Sequence, residues 1–400
     1  MSLPVSASAS RDDPKQRWIG VWGASPLIPD PVGVTDQAVL SRTGFQDQTL
    51  REIVYPHFSG STVRIRLANT YSDQPLMVGA AHLALQSVNA SIVGGSDRQL
   101  TFSGQTSFAV PPEAEVYSDP VSLAVEPSHN LAISLYLPGP SGPITWHSTG
   151  RQTLYVAAAD QTADGSGGAF EARANLPSWY AVDGVEVLAT SPDQAAIVTF
   201  GDSITDGTAS TQDANNRWPD FLARRLAARP GNLLSVVDEG IAGNRVLSDT
   251  PTYLNALARL DRDVLSQAGV KYVTLLEGIN DIGQTCLGNA DASADQIIGG
   301  YRQIISQVHQ KGLKIFGATM TPFKGAPYYC DEGEAKRGTV NEWIRTSGEF
   351  DGVLDFDQAT RDPADVLAYR PDFDSGDHLH PNDLGYQAMA NAIDLSLFTP

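Results

Sequence analysis

The chain has 400 residues, 42% of them hydrophobic, and its 46 acidic residues outnumber 27 basic ones to give a net charge of −19. This length favours two domains, because a single core seldom grows so large. The acidic surplus argues against nucleic acid and an anionic membrane surface as partners, since either would need clustered Lys and Arg. A neutral or weakly polar substrate fits this charge best.

Residues 1–15 are rich in Ser and Ala and are predicted to form a flexible tail. They lack a basic n-region and an apolar h-region, so no signal peptide is visible in them. No stretch of the chain approaches the roughly 18 consecutive apolar residues that a membrane-spanning helix needs. We expect a secreted or periplasmic protein without a membrane partner, and the cytoplasm is the alternative location.

Residues 16–192 are predicted to form an all-β domain, a β-sandwich of jelly-roll type. Short stretches of alternating polarity, such as residues 62–67 and 130–137, are separated by turn signals rich in Gly, Pro, Ser and Asn. No convincing helical period is present. Residues 160–168 are predicted to be a surface loop, and a last strand or hairpin around residues 180–189 is predicted to join the two domains.

Residues 193–400 alternate strands with helices and predict a three-layer α/β/α domain of flavodoxin-like type around a parallel five-stranded sheet. Strands are expected at residues 195–200, 234–239, 272–277, 313–319 and 352–356. Helices are expected at residues 216–228, 253–267, 294–310, 334–346 and 383–397. Loops at the carboxyl ends of parallel strands converge, so a functional site is expected at that edge of the sheet.

Polar blocks follow the first three of these strands, and a fourth precedes the last helix. They are Gly201-Asp202-Ser203, residues 240–244, residues 278–281, and residues 377–381. Ser203 lies where a strand should end and a helix begin. The first N–H groups of a helix have no internal partners and carry partial positive charge, so a hydroxyl at that point faces ready donors for an oxyanion.

The four blocks supply every group that hydrolysis of an ester requires. Ser203 is the candidate nucleophile, His380 the candidate base, and Asp377 the acid that would orient its ring. The N–H of Ser203, the N–H of Gly243 and the side-chain amide of Asn280 would form the oxyanion hole.

These blocks resemble the SGNH subgroup of the GDSL esterases and lipases, over about residues 193–398. The resemblance implies that Ser203, Gly243, Asn280 and His380 are the four residues for which the subgroup is named, and that Asp377 completes the triad. It further implies hydrolysis through an acyl-enzyme, without a cofactor.

The N-terminal half also resembles the region that precedes the catalytic domain in the subgroup typified by a rumen xylan-cluster acylhydrolase, a group that includes arylesterases. Residues 50–54, 63–69 and 117–121 carry this second resemblance. It implies short acyl substrates, namely acetyl esters of carbohydrate or small aryl esters. Lipase, thioesterase or phospholipase activity is the alternative within the family. A non-catalytic carbohydrate-binding protein on a degenerate hydrolase scaffold is the alternative outside it. The oligomeric state is not predicted.

Other titratable residues near the blocks are interpreted as structural. Asp202 and Asp281 are expected to support the site by hydrogen bonding. His378 is the rival of His380, and the spacing Asp-x-x-His-Pro selects His380. His147, in the β domain, is interpreted as a packed or turn histidine, with a contribution to the wall of the site as the alternative. No metal site is predicted, because no further clustered ligand of suitable spacing accompanies Asp377 and the two histidines.

The two cysteines, Cys286 and Cys330, fit neither a metal-site spacing nor a Cys-x-x-Cys redox pair. Both follow predicted strand ends on the same face of one domain. A disulfide and two free thiols both remain open, because the sequence does not supply the Cα separation that a bridge requires.

Overall fold

A computed structural model describes residues 17–127, 129–289 and 292–399. The predicted tail, residues 1–15, lies outside them. Within the described part of the chain, no helix is both long enough and apolar enough to span a bilayer.

Short antiparallel strands make up most of the N-terminal part. They are β1 (Trp18–Gly23), β2 (Gln48–Val54), β3 (Gly60–Ala68), β4 (Leu76–Val78), β5 (Ala80–Leu85), β6 (Arg98–Gln99), β7 (Phe108–Val110), β8 (Glu115–Tyr117), β9 (Val121–Val125), β10 (Leu131–Leu137), β11 (Trp146–His147), β12 (Leu154–Ala158), β13 (Glu171–Arg173), β14 (Trp179–Tyr180) and β15 (Val182–Leu188). The predicted strands at residues 62–67 and 130–137 and the predicted loop at 160–168 are therefore present.

Two larger sheets and two small ribbons arise from these strands. One sheet has the order β1-β15-β3-β8, with β9 also paired to β3, and the other has the order β13-β12-β2-β10-β5-β6. Buried side chains of both sheets, for example Ile65 and Val185 from the first and Leu50 and Ile133 from the second, belong to a single core. Two antiparallel sheets that share a core agree with a β domain; the jelly-roll connectivity stays a prediction.

One helix, α1 (Asp36–Thr43), interrupts the N-terminal strands, so the prediction of a domain without helices was wrong at this point. Thr35 caps its first turn by accepting from Ala38 N, and Gly44 ends it with a φ of 69°. Only Ala38 and Ser41 of this helix are buried. A helix that buries two small residues has no apolar stripe, which is why the hydrophobic period did not reveal it.

The C-terminal part contains the five predicted parallel strands. They are β16 (Ala195–Gly201), β17 (Leu234–Gly240), β18 (Val270–Leu276), β19 (Lys314–Ala318) and β20 (Gly352–Leu354). Their order in the sheet is β17-β16-β18-β19-β20, which is the 2-1-3-4-5 order of a flavodoxin-like fold. The helices are α2 (Ser203–Asp206), α3 (Trp218–Ala227), α4 (Ala256–Leu260), α5 (Ile279–Cys286), α6 (Ala294–Gln310), α7 (Asp331–Thr346), α8 (Phe356–Thr360) and α9 (Asp383–Ala392).

The helices differ from the prediction in three places. The stretch at 253–267 is not one helix, because α4 is short and continues as a single π-helical turn, Asp261–Leu265. The last helix ends at Ala392, and a separate 3₁₀ turn, Leu395–Leu397, follows it. The start of α2 at Ser203 was predicted, but the short helices α5 and α8 were not, since five to eight residues are too few to show a period.

Alternate residues of the central strands face opposite layers. Ile197 of β16 packs with side chains of α3 and α9. Its neighbours Ala196 and Val198 pack on the other side, in the core that contains residues of α6, α7 and the N-terminal sheets. The N-terminal part therefore lies against one face of the parallel sheet. Gly20 N of β1 donates to Ala268 O at 2.9 Å within this contact.

Candidate active site

Ser203 is the first residue of α2 and lies directly beyond the end of β16. Asp202 forms the N-cap: its Oδ1 accepts a hydrogen bond from Ile204 N at 3.0 Å, which satisfies one of the free donors at the start of the helix. The Ser203 side chain is held in this turn, and the residue is 6% exposed. The predicted strand-to-helix turn thus positions one hydroxyl at the carboxyl edge of the sheet.

His380 and Asp377 complete a hydrogen-bonded chain to that hydroxyl. His380 Nε2 lies 2.9 Å from Ser203 Oγ, and His380 Nδ1 lies 2.6 Å from Asp377 Oδ2. A carboxylate on Nδ1 requires the ring proton there, so Nε2 is free to accept the proton of the Ser203 hydroxyl. The structure places His380, and not His378, beside Ser203.

The Asp377 carboxylate is fixed by its own backbone. Its Oδ1 accepts from the N–H groups of Leu379 at 2.9 Å and His380 at 2.8 Å. Although partial burial works in the opposite direction, these bonds and the His380 ring hold the pKa of Asp377 well below its usual range. The acid therefore stays ionised, which is the state that orients the His380 ring.

His378 belongs to a parallel arrangement in the same loop. Its Nδ1 lies 2.5 Å from Asp374 Oδ2, and Asp374 Oδ1 accepts from the N–H groups of Gly376 and His378. The His378 side chain is 54% exposed. Asp374 and His378 shape the loop that carries Asp377 and His380.

The segment 240–244, which we call the oxyanion loop, follows β17 and approaches α2 closely. A Cβ at Gly240 would lie 2.2 Å from the backbone N of Asp206, so only glycine admits this contact. Gly243 has a φ of +83°, a conformation that L side chains rarely adopt. Both glycines are required by the path of the chain.

The peptide that bears the Gly243 N–H lies between two anchored peptides. On one side, Ala242 N donates to Asp206 Oδ2 at 2.9 Å. On the other, the Tyr253 hydroxyl donates to Gly243 O. Asn244 N closes the turn on Ile241 O at 3.0 Å. This anchoring fixes the direction of the N–H that was predicted to meet the oxyanion.

Asn280 lies in the first turn of α5, directly beyond β18, and is 8% exposed. Its Nδ2 donates to Asn244 O at 2.9 Å, and its Oδ1 accepts from the Tyr328 hydroxyl at 3.4 Å. An amide carries two N–H groups, so one holds the oxyanion loop and the second is left for a ligand.

Two buried carboxyl groups lie beneath these loops. Burial, with a smaller contribution from the neighbouring Asp281, raises the pKa of Asp202 to about 7, although the Ile204 N–H and His380 act in the opposite direction. Burial also raises the pKa of Asp281 to about 6, although its oxygens accept from the N–H groups of Val246 and Leu247. Both residues bind backbone N–H groups: Asp202 binds that of Ile204, and Asp281 binds those of Val246 and Leu247.

Arg259 is a structural residue of the site that sequence reasoning missed. Its guanidinium is fully buried and donates to Gly201 O at 2.9 Å and to Asn244 Oδ1 at 2.8 Å. It thereby joins the strand end before Ser203 to the oxyanion loop. The sequence gives no sign of this, because Arg262 lies three residues later in the same predicted helix and looks equivalent. Asp206 and Tyr253 were also missed, because their partners in the oxyanion loop lie 36 and 10 residues away in the sequence.

Cys286 and Cys330 form a disulfide, with a Cα–Cα distance of 5.6 Å and a sequence separation of 44. The bond joins the end of α5 to the N-cap of α7, where Cys330 Sγ accepts from Gly333 N at 3.3 Å. It tethers the helix that carries Asn280. No group of three or more His, Cys, Asp or Glu in the described ranges could hold a metal ion.

An open parallel sheet with a Ser–His–Asp chain at its carboxyl edge is the arrangement of a serine hydrolase. The comparison with family models is more specific: residues 199–388 match the GDSL-like Lipase/Acylhydrolase family. The matched segment contains Ser203, the oxyanion loop, Asn280 and His380. The match does not extend into the N-terminal part.

Matches in the search of solved structures include three proteins, each covered along most of its length. A GDSL-like lipase from Bacteroides thetaiotaomicron is 18% identical, with 50% of this chain and 87% of that one covered and a TM-score of 0.38. An acetyl xylan esterase, AlAXEase, is 17% identical, with 49% and 96% covered and a TM-score of 0.38. A carbohydrate acetylesterase family member from Sinorhizobium meliloti is 16% identical, with 50% and 95% covered and a TM-score of 0.38. The search of curated proteins returned no match.

Proposed function

We propose that this protein is a serine esterase that hydrolyses carboxylic esters through an acyl-enzyme on Ser203. The observation that carries the proposal is the continuous chain from Ser203 Oγ to His380 Nε2, at 2.9 Å, and from His380 Nδ1 to Asp377, at 2.6 Å. The family match of residues 199–388 supports the same class of reaction.

In the proposed acylation step, Ser203 and His380 act from the positions just described. His380 Nε2 takes the proton of the Ser203 hydroxyl as Oγ attacks the carbonyl carbon of the ester. The carbonyl oxygen becomes an oxyanion, which accepts from the N–H groups of Ser203 and Gly243 and from the second N–H of Asn280. When the tetrahedral intermediate collapses, the C–O bond to the alcohol breaks, and the alcohol leaves with the proton from His380.

Deacylation repeats these steps with water as the nucleophile. His380 takes a proton from water, the hydroxide attacks the acyl carbon, and the same three donors hold the second oxyanion. Collapse of this intermediate returns the proton to Ser203 Oγ and releases the carboxylic acid. The residues described supply each proton transfer, so the proposed reaction needs no cofactor.

The proposed substrates are short acyl esters, namely acetyl groups on carbohydrate or small aryl esters, as the resemblance to xylan-cluster acylhydrolases implies. The net charge of −19 disfavours anionic substrates such as phospholipids. A lipase uses exposed apolar side chains at a lipid surface. In the described part of the chain, large exposed apolar side chains lie near one another in sequence only as Val32, Val34 and Val39 and as Val88 and Val93, both in the N-terminal part.

Hydrolysis of p-nitrophenyl acetate by the wild-type protein and by Ser203→Ala tests the reaction. We expect Ser203→Ala to lose at least about 10³-fold in kcat, because no other hydroxyl occupies the position of the nucleophile. Ser210→Ala, a buried serine beyond α2, is the matched control and should keep wild-type kcat. A wild-type rate no faster than that of Ser203→Ala would overturn the proposal.

A series of p-nitrophenyl esters from acetate to palmitate tests the substrate class. We expect kcat/KM to be highest for acetate and to fall as the acyl chain lengthens. A preference for long chains would replace the proposed short-chain esterase with a lipase. Release of acetate from acetylated xylan would then decide between a carbohydrate and a small aryl ester as the better substrate.

We also propose that the protein works in an oxidising compartment, outside the cell or in the periplasm. The disulfide between Cys286 and Cys330 supports this location, because disulfides persist where thiols are not kept reduced. Thiol labelling of the denatured protein, taken directly from its compartment, should find both cysteines blocked. Two free thiols would favour the cytoplasm.

A further inference from the structure

His147 is a buried residue of the N-terminal part that contacts the helix of the candidate nucleophile. It lies in β11, and its side chain is 4% exposed. Its Nδ1 lies 2.9 Å from Ser25 O, and its Nε2 lies 3.0 Å from Asp206 Oδ1. Asp206 is the last residue of α2, three positions after Ser203. The imidazole thus bridges the two parts of the chain.

The same Asp206 carboxylate also contacts the oxyanion loop. Its other oxygen, Oδ2, accepts from Ala242 N at 2.9 Å. Ala242 precedes Gly243, whose N–H is the proposed oxyanion donor. One buried carboxylate therefore has the imidazole on one oxygen and the oxyanion loop on the other. Among the described residues of the N-terminal part, only the His147 side chain forms a hydrogen bond with this carboxylate.

Both ring nitrogens of His147 face oxygen acceptors. Ser25 O cannot donate, so Nδ1 carries a proton, and a proton on Nε2 gives the best partner for an ionised carboxylate. Burial lowers the pKa of His147, but the charge of Asp206 and the hydrogen bonds to Asp206 and Ser25 O outweigh burial and raise it. The imidazole holds Oδ1 of the Asp206 carboxylate, and Oδ2 is directed towards Ala242 N.

We propose that His147 is a positioning residue of the esterase: through Asp206 and Ala242, the N-terminal domain sets the direction of the Gly243 N–H in the oxyanion hole. This assigns a role in catalysis to a domain outside the family match. The kinetic part of the proposal rests on the proposed function; the structural part, that His147 orders the oxyanion loop, does not.

A second buried histidine, His57, makes similar contacts and serves as a control for His147. His57 is also buried in the N-terminal part, with Nδ1 2.9 Å from Val236 O and Nε2 2.8 Å from Asp220 Oδ1. Asp220 lies in α3, and its other oxygen accepts from Arg217 N, which is not part of the oxyanion loop. His57 and His147 therefore make equivalent contacts between the two parts, but only His147 reaches the oxyanion loop.

The first test compares His147→Ala with His57→Ala. Both should lower the melting temperature, because each leaves a buried carboxylate without its partner. Only His147→Ala should lower kcat on p-nitrophenyl acetate, by about tenfold or more, with KM within about twofold, since it disturbs a donor used in the transition state. An equal loss of kcat in the two variants would reduce His147 to a general interface residue and overturn the proposal.

The second test is a double-mutant cycle with Asp206→Ala. If His147 acts through Asp206, removal of His147 from the Asp206→Ala variant should cost little further kcat, and the two effects should not add. If the losses multiply, His147 acts by another route and the proposed connection is wrong.

The third test does not depend on ester turnover. Hydrogen exchange of the amides in residues 240–247 should be about tenfold faster in His147→Ala than in wild type, because Ala242 N loses a fixed acceptor. His57→Ala should leave this segment protected. Unchanged exchange in His147→Ala would overturn the proposal even if the wild type proved to have no esterase activity, whereas wild-type turnover equal to that of Ser203→Ala rejects only the proposed function.

Discussion

Two loops serve the Ser203 hydroxyl, and they are held in different ways. The loop with Asp377 and His380 lies at the surface and is organised by near neighbours: Asp374 binds Gly376 and His378, and Asp377 binds the two residues that follow it. The oxyanion loop is buried except at the half-buried Ala242 and Gly243, and it is held by side chains from distant segments. These are Asp206, Tyr253, Arg259 and Asn280.

Because of this difference, substitutions in the two loops should affect activity and stability differently. In the surface loop, a carboxylate can be replaced without leaving a buried group unpaired, so a variant should lose activity but keep its fold. In the oxyanion loop, each anchor is buried, and its removal leaves desolvated partners. Variants there should lose activity and stability together.

The largest effect on activity should come from Asp377→Asn. The amide oxygen can still accept from the N–H groups of Leu379 and His380, so the loop should stay folded. The ring of His380 would lose the acceptor that sets its tautomer, and kcat should fall by about 10³–10⁴-fold. Steady-state kinetics with a thermal melt checks both points. Asp374→Asn, which alters the same kind of contact on His378, should lose only a few-fold; a comparable loss there would contradict the roles assigned to the two pairs.

Asn280→Ala should lower kcat by about 10²–10³-fold, because it removes one oxyanion donor. It also releases Asn244 O from a buried hydrogen bond, so the melting temperature should fall as well. Kinetics at saturating p-nitrophenyl acetate measures the first effect. A rise in KM with unchanged kcat would place Asn280 in substrate binding instead.

Arg259→Met should lower both the activity and the stability of the protein. Its guanidinium binds Asp263 at 3.1 Å as well as Gly201 O and Asn244 Oδ1, so its removal breaks a buried ion pair and should cost about 3–5 kcal/mol of unfolding free energy. Urea unfolding measures this. Arg262→Met is the control from the same segment: its side chain is partly exposed and contacts Asp263 but neither site loop. Equal losses of kcat in the folded variants would contradict the assignment of Arg259 to the site.

The smallest effect is a dependence of stability on pH. Burial raises the pKa of Asp202 and Asp238 to about 7 and of Asp281 to about 6. A carboxyl whose folded pKa exceeds its unfolded value contributes stability that is complete below about pH 4 and is lost as the pH rises through the folded pKa. The depressed pKa of Asp377 acts only in the acid range. Melting temperatures should therefore fall between pH 5 and pH 8.

The variant Asp238→Asn tests whether buried carboxyl groups cause this dependence of stability on pH. Asp238 Oδ2 is buried without a hydrogen-bond partner, whereas Oδ1 accepts from Gly240 N. An amide can keep the second contact without a charge, so the variant should show a shallower fall of melting temperature with pH. Melting temperatures that rise from pH 5 to pH 8 would contradict the assignment of raised pKa values to these groups.

The regular part of the fold could be predicted because its signals are local. The five parallel strands have continuous apolar runs, and α6, which spans residues 294–310 as expected, has an apolar stripe of seven buried residues. By contrast, α1 buries only two small residues, and the π-helical turn after α4 interrupts an otherwise regular stretch. Their conformations depend on contacts that a hydrophobic period does not record.

The sequence by itself determined the order of elements, the strand-to-helix turn at Ser203, and the candidate acid and base, because Asp377 and His380 lie within one turn of chain. It left the disulfide between Cys286 and Cys330 undecided, since only the folded chain supplies their Cα separation. Tertiary structure alone decided what holds the oxyanion loop. Asp206 lies 36 residues from its partner in this loop, and Arg259 lies 15 residues from its partner. His147, which contacts the loop through Asp206, lies 59 residues from Asp206. Contacts over such separations depend on how the two parts pack, and no local pattern encodes that packing.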